Sequence, residues 1–440
     1  MLFQACALVF SLILIAYLIY KGLSPIYSVV IGCSLMIFTN GMDYVETFTS
    51  ALSTWGSVLM PAVFVTLFGA SMGVLYTRAG AVDAIANWLL RPVDRIKNED
   101  LRVIFAILAF IVFRIILGLA GLVNDAVLVT MFAVGAAVFR KVDIDRRHLN
   151  AVLVIAGTIG LVIPGAPTQT NVMFSLFLPD YSPTAYFVPR AILMIIYVIF
   201  VCLLMLHYVR SDRAAGRHFE PGNMMATEYA EGKLPPIWLC FVPIIVVVIT
   251  YTFLGIEAWV SITFGLIATL ISFWKYYPVE SGKSRFGSVL HIANDGVLLI
   301  PLQFMLMVLP TMVMNLSPAF EWGVEALSGS GISPYISFTL LAVILVAFSG
   351  AGAIPTICTV ALSGFIGQTM GMYACVIMTT WSCTVFDSLP TNASIVIQTE
   401  LCDCPMKKAY PTIFTTTIIA TAVVLVIATV MAAMGVFGGI

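Results

Sequence analysis

Charge is what this sequence has least of. Asp, Glu, Lys and Arg make up 10% of its 440 residues, and the formal net charge is −1. The net charge says little about partners, and no nucleic-acid partner is expected. No phosphate-binding loop of the GxxxxGK[ST] kind occurs, which excludes an ATP-driven pump on this chain. The four histidines, His148, His207, His218 and His291, include none placed mid-membrane beside a nucleophile, so enzyme chemistry is not expected. Nine cysteines are scattered, and the close pair Cys402–Cys404 has no histidine or third cysteine nearby to complete a metal site. No metal or cofactor is therefore expected beyond a coupling ion, H+ or Na+. A basic start and a small-residue cleavage site are also missing ahead of residues 2–20, so that run predicts a first spanning helix rather than a signal peptide.

What remains is apolar. Hydrophobic residues make up 61% of the chain and the mean hydropathy is +1.05. A soluble domain cannot hide that much apolar surface, so the composition predicts an all-α polytopic membrane protein in contact with a lipid bilayer. Apolar spans fall near 2–20, 25–39 and 57–77. An amphipathic stretch, 79–93, precedes two short arms at 102–117 and 126–140. Arms of about 24 Å are shorter than the roughly 30 Å hydrocarbon core and predict a re-entrant hairpin. A longer apolar segment at 149–178, a span at 185–208 and a polar loop complete the first half. The second half offers 236–254, 257–274, 294–316, a stretch at 317–328, short arms at 332–348 and 355–369, a segment at 372–399 and a last span at 409–436.

The two halves repeat. Trp55, Gly56, Pro61 and Phe64 align with Asp295, Gly296, Pro301 and Phe304. Each motif precedes an amphipathic stretch, a pair of short arms with a small-residue tip, and a helix broken at Pro-Thr. The expected organisation is a first repeat at 1–209 (scaffold helices 1–95, hairpin and broken helix 100–209) and a cytoplasmic linker at 210–235. The second repeat follows at 236–440 (scaffold helices 236–328, hairpin and broken helix 332–440).

With re-entrant hairpins, 19 of the 21 Lys and Arg residues fall on one side, and that side is the cytoplasm. The opposite loops carry Asp43, Glu46, Asp180, Glu257, Glu321 and Glu325 without a single Lys or Arg. Both termini are then expected outside, and the second repeat is inverted relative to the first. Inverted repeats with a discontinuous helix in each half point to a secondary transporter with its site near the midplane.

The stretch Gly157 to Asn171 carries the first break. Pro164, Gly165 and Pro167 within four residues cannot continue a regular helix. Unwound backbone at membrane depth is tolerated only where protein or a water-filled cavity satisfies it. Pro167, Thr168, Gln169, Thr170 and Asn171 are candidate substrate ligands here. Ser388, Thr391 and Asn392 hold the equivalent place around Pro390. Half-helices starting near Thr168 and Thr391 would present free N–H groups and positive dipole ends to an anion. The hairpin tips add Asn124 and Asp125, then Ser349, Gly350, Gly352 and Thr356, which can serve a site or merely cap and pack helices. Asp387, bracketed by Phe386 and Leu389, is a costly intramembrane carboxylate and, with Asp125, a candidate carrier of the coupling ion. Arg114 can meet a substrate carboxylate or pair with one such as Asp125. Arg190 reads as an interfacial anchor, Asn294 and Asp295 as a helix cap, and Glu321 with Glu325 as a solvated face. Besides a cation-coupled symporter of organic acids, the pattern leaves open a Na+/H+-type antiporter resting on Asp125, Asp387 and Asn124.

Gly69 through Ala86, Phe348 through Thr356 and Ile163 through Thr168 resemble segments of the gluconate permease family, within the ion transporter superfamily. The likeness covers most of the chain in order and spacing. It implies a homodimer of two scaffold and two transport domains in the bacterial inner membrane, importing a small organic anion with protons or, as in sister families, sodium. The chain departs from the family pattern at Val123–Asp125, where a Glu-containing turn is the rule, and at Asp387–Pro390.

Overall fold

The computed structural model describes residues 1–21, 23–122, 124–220, 234–279, 282, 284–298, 309–328, 331–349, 353–389, 395, 398–399 and 402–438. Among them the chain is helical throughout, with one isolated bridge between Ile366 and Met370. The first half holds α1 (Leu2–Tyr20), α2 (Pro25–Thr39), α3 (Tyr44–Arg78), α4 (Ala81–Leu90), α5 (Glu99–Leu119), α6 (Asn124–Val142), α7 (Leu149–Val162), α8 (Gln169–Phe177) and α9 (Phe187–Ala214). The second half begins with α10 (Ile237–Phe253), α11 (Ala258–Ser272), α12 (Arg285–Leu298), α13 (Leu309–Asn315) and α14 (Pro318–Ser328). It closes with α15 (Pro334–Ser349), α16 (Ile354–Gly364), α17 (Met372–Val385) and α18 (Met406–Ala433).

Local chemistry explains where several helices depart from their apolar runs. Asp43 starts α3 thirteen residues before the run at 57, by accepting the Glu46 N–H at 2.7 Å. Asn98 likewise caps α5 through the Leu101 N–H. The arms of the first hairpin therefore come out longer than the apolar pattern, at 21 and 19 residues. Because α5 reaches about 31 Å, arm length alone does not make this pair re-entrant. The second pair is different. Its arms of 16 and 11 residues cover only about 24 and 17 Å, too short to cross. Asn294 and Asp295 do not cap a span. They lie inside α12, which starts at Arg285 because the Ser284 hydroxyl accepts the Gly287 N–H. Glu321 and Glu325 are exposed on α14, as a solvated face requires.

The protein is an all-α, polytopic membrane fold. Val188, Ile192, Ile195, Ile199 and Leu203 are exposed along one face of the 28-residue α9, a stripe that only lipid or another subunit can cover. Two sets of helices, joined by contacts of α3 with α6 and of α4 with α5, make up the bundle. α3 lies against α12 and against α11, which pairs with α10. α7 is packed by both arms of the first hairpin and by α17, which in turn meets α15 and α18. α10 and α18 each contain a proline, Pro243 and Pro411, and each relaxes into a π turn a few residues on, Val248–Phe253 and Phe414–Ile419. At one end of the bundle Asp212 of α9, 2% exposed, gathers Arg147, Arg217 and the buried His148. The other ring nitrogen of His148 lies 2.7 Å from Thr412 Oγ1, tying α7 and α9 to α18.

Candidate functional site

The break between α7 and α8 lies where the proline pattern places it, and the structure shows how its backbone is satisfied. Gly165 takes φ +74°, a conformation that favours glycine, and turns the chain back. The carbonyls released from helical bonding are then met by side chains. Thr170 Oγ1 donates to Leu161 O at 2.5 Å. Asn171 Nδ2 donates to Ile163 O at 3.1 Å and to Ala166 O at 2.8 Å. Thr252 Oγ1, on the π turn of α10, donates to Gly165 O at 2.7 Å. The loop after α8 folds back as well, so that Pro183 O accepts the Gly165 N–H at 3.0 Å. Thr168 caps α8 by accepting the Asn171 N–H at 3.2 Å. Pro167, Thr168, Thr170 and Asn171 are all buried, and Gln169 alone of the five is exposed. The N–H groups of Gln169 and Thr170, in the first turn of α8, have no acceptor within their own helix.

Two buried cations flank this turn. Of the 21 basic residues, only Arg114 and Arg190 stand apart from the basic loops. On the α7 side, the Arg114 guanidinium, 3% exposed, lies flat on Gly160, where a Cβ would come within 2.1 Å of its Nη2. On the α8 side, Arg190 is 4% exposed, so it is not an interfacial anchor. It reaches from the start of α9 to donate to Asn171 Oδ1 at 2.6 Å and to Pro183 O at 2.8 Å. Tyr181 shares the same amide oxygen at 2.7 Å. Both Arg190 acceptors are neutral. The signal for Arg190 was present in the charge pattern. Nothing in the sequence pointed to Tyr181, Thr252 or Gly160, whose parts depend on which helices become neighbours.

The first hairpin brings its tip to the break. Gly121, at φ +74°, leaves no room for a side chain between Pro167 and Ile262. Asn124 opens α6 three residues later, followed by Asp125, so both begin a helix beside the break. Their side chains lie outside what the structure describes. In the second half, Ser349 ends α15 and Thr356 is fully buried in the first turn of α16, which packs on α8. Asp387 and Ser388 follow the end of α17. Asp387 is partly buried. Ser388 is fully buried, and its hydroxyl has no hydrogen-bond partner among the described residues. Gly350, Gly352, Pro390, Thr391 and Asn392 lie outside the described residues.

The sequence matches no family model and no curated protein. The architecture does have solved counterparts. The chain is similar to the YdaH transporter of Alcanivorax borkumensis, a crystal structure of unusual topology, with a TM-score of 0.54 and 14% identity over 89% of each chain. The likeness is one of fold. MtrF of Neisseria gonorrhoeae, described with a class of antimetabolite efflux pumps, is also similar, at a TM-score of 0.46 and 12% identity over 89% of this chain and 84% of that one.

Proposed function

We propose that the protein is a secondary active transporter that carries a small organic acid through the first break by alternating access. The observation that carries this reading is the buried Arg190 beside the Pro164–Pro167 turn, whose acceptors are the neutral oxygens of Asn171 and Pro183. A buried cation held by neutral oxygens is costly. A carboxylate arriving between Arg190 and the first turn of α8 would offset that cost, and the positive end of the half-helix would assist it. The likeness to a transporter fold supports transport, and the resemblance to the gluconate permease family favours a hydroxy or sugar acid as cargo. In this reading the α7-centred group moves with the solute, the α3-centred group stays, and Asp387 or Asp125 carries the coupling proton. The transporter works as a homodimer in the cell membrane with its basic loops in the cytoplasm.

Proteoliposomes test the proposal. A radiolabelled hydroxy acid should accumulate only under an inward proton gradient and should leak away when a protonophore is added. Accumulation driven by sodium alone would reassign the coupling ion. Sodium–proton exchange that needs no organic acid would replace this reading with a cation antiporter.

A further inference from the structure

Far from the break, the ends of three helices enclose a cleft of about 310 Å³. Glu99 and Arg102 come from the start of α5, Lys141 from the end of α6 with Asp143 just beyond it, and Arg213 and His218 from α9 and the chain that follows. Two of the basic side chains already face carboxylates. Arg213 Nη1 lies 3.2 Å from Glu99 Oε2, and His218 Nδ1 lies 2.6 Å from Asp143 Oδ2. Asp143 is further occupied by the Phe219 N–H at 2.9 Å, and that bond first, then His218, holds its carboxyl below the ordinary range. It is thus committed to fixing the strand of chain that carries His218.

Arg102 is differently placed. Its Nη2 donates to the Lys141 carbonyl at 2.7 Å, its Nε is buried without an acceptor, and no carboxylate among the described residues is within ion-pair distance. The carboxylate opposite Arg213 is also loosely held, since the Glu99 side chain is 78% exposed and exposed ion pairs exchange readily. Arg213 keeps its place without Glu99, because its Nη2 donates to Val142 O at 2.9 Å.

We propose that this cleft binds a phosphate group, gripped by the guanidinium groups of Arg102 and Arg213. Planar guanidinium forks match the oxygens of phosphate and outcompete point charges in that task. The source favoured by the surroundings is the headgroup of an anionic phospholipid. Leu101, Phe105 and Val112 are exposed along α5, and Ile195, Ile199 and Leu203 along α9, the helix it packs against. Acyl chains can follow these apolar tracks to the cleft, and basic pockets between spanning helices suit anionic headgroups. A headgroup held there ties both arms of the first hairpin to α9.

The test uses the purified, delipidated full chain, read by thermal unfolding and native mass spectrometry. Phosphatidylglycerol should raise the unfolding temperature and remain bound, phosphatidylcholine should do so less, and Arg102→Gln or Arg213→Gln should weaken binding about tenfold to a hundredfold. Glu99→Gln should instead tighten it, because it releases Arg213. Millimolar inorganic phosphate giving the same shift, lost in the same variants, would support the site with free phosphate as its source. No shift with either probe, binding in both arginine variants as tight as in the unaltered chain, or no gain in Glu99→Gln would overturn the proposal.

Discussion

The Asn171 amide carries two donors and an acceptor oxygen with two lone pairs, and the protein engages all four: Ile163 O, Ala166 O, the Tyr181 hydroxyl and the Arg190 guanidinium. Its type suggested a solute ligand, yet here it holds the turn closed and fixes Arg190. Asn171→Leu would strand two carbonyls, a hydroxyl and a cation. At about 1–3 kcal/mol for each stranded buried group, the expected loss exceeds 3 kcal/mol and should show as a markedly lower unfolding temperature in detergent. Gln169→Ala should stay within about 0.5 kcal/mol, because Gln169 is exposed and bonded to nothing described. The same variant should raise the apparent KM if Gln169 faces the solute. Equal destabilisation by the two substitutions would contradict this division of labour. Gly160→Ala would be costly for a different reason, since its new methyl would displace the Arg114 guanidinium.

At the scale of elements, α8 is a half-helix whose start is held by its own chain and by one bond from α10. Thr252 donates that bond, from a π turn to the Gly165 carbonyl. Thr252→Val should therefore slow solute turnover while costing about 1–3 kcal/mol, the range for one buried acceptor left unmade. Unchanged turnover would mean that the bond serves assembly only. The Asp212 cluster makes a separate claim. Asp212→Ala leaves His148 buried beside Arg147 and Arg217, and should cost about 3 kcal/mol, the low end for a broken buried pair because both arginines remain partly in water. The sequence made the break itself legible, because Pro164, Gly165 and Pro167 forbid a helix whatever surrounds them. It made the short second hairpin legible too, since arm length and small tip residues are local properties. It did not make the Arg190–Asn171–Tyr181 contact legible, because the fold of the 178–186 loop over the break is a tertiary outcome. The arms of the first hairpin were underestimated for a related reason. Their outer turns are polar, with Glu99, Asp100, Arg140 and Lys141, and carry no apolar signal.

At the scale of the whole molecule, topology can be tested with the cysteines the chain already has. Among the nine, Cys6 is exposed and the other eight are buried, so Cys6→Ser should silence labelling by an impermeant maleimide. On that background Asp143→Cys should label only from the cytoplasm and Glu325→Cys only from outside. Labelling of both from one face would end the inverted arrangement. The proposed recognition of a negative charge at the first break can be tested separately. Isothermal titration of the purified protein with a panel of three- to six-carbon hydroxy acids and their uncharged amides tests it most directly. An acid should bind, its amide should not, and Arg190→Gln should weaken the acid about tenfold to a hundredfold, the loss of one charge-assisted bond. An amide that binds as tightly as its acid, or an acid whose affinity is the same in Arg190→Gln, would contradict it.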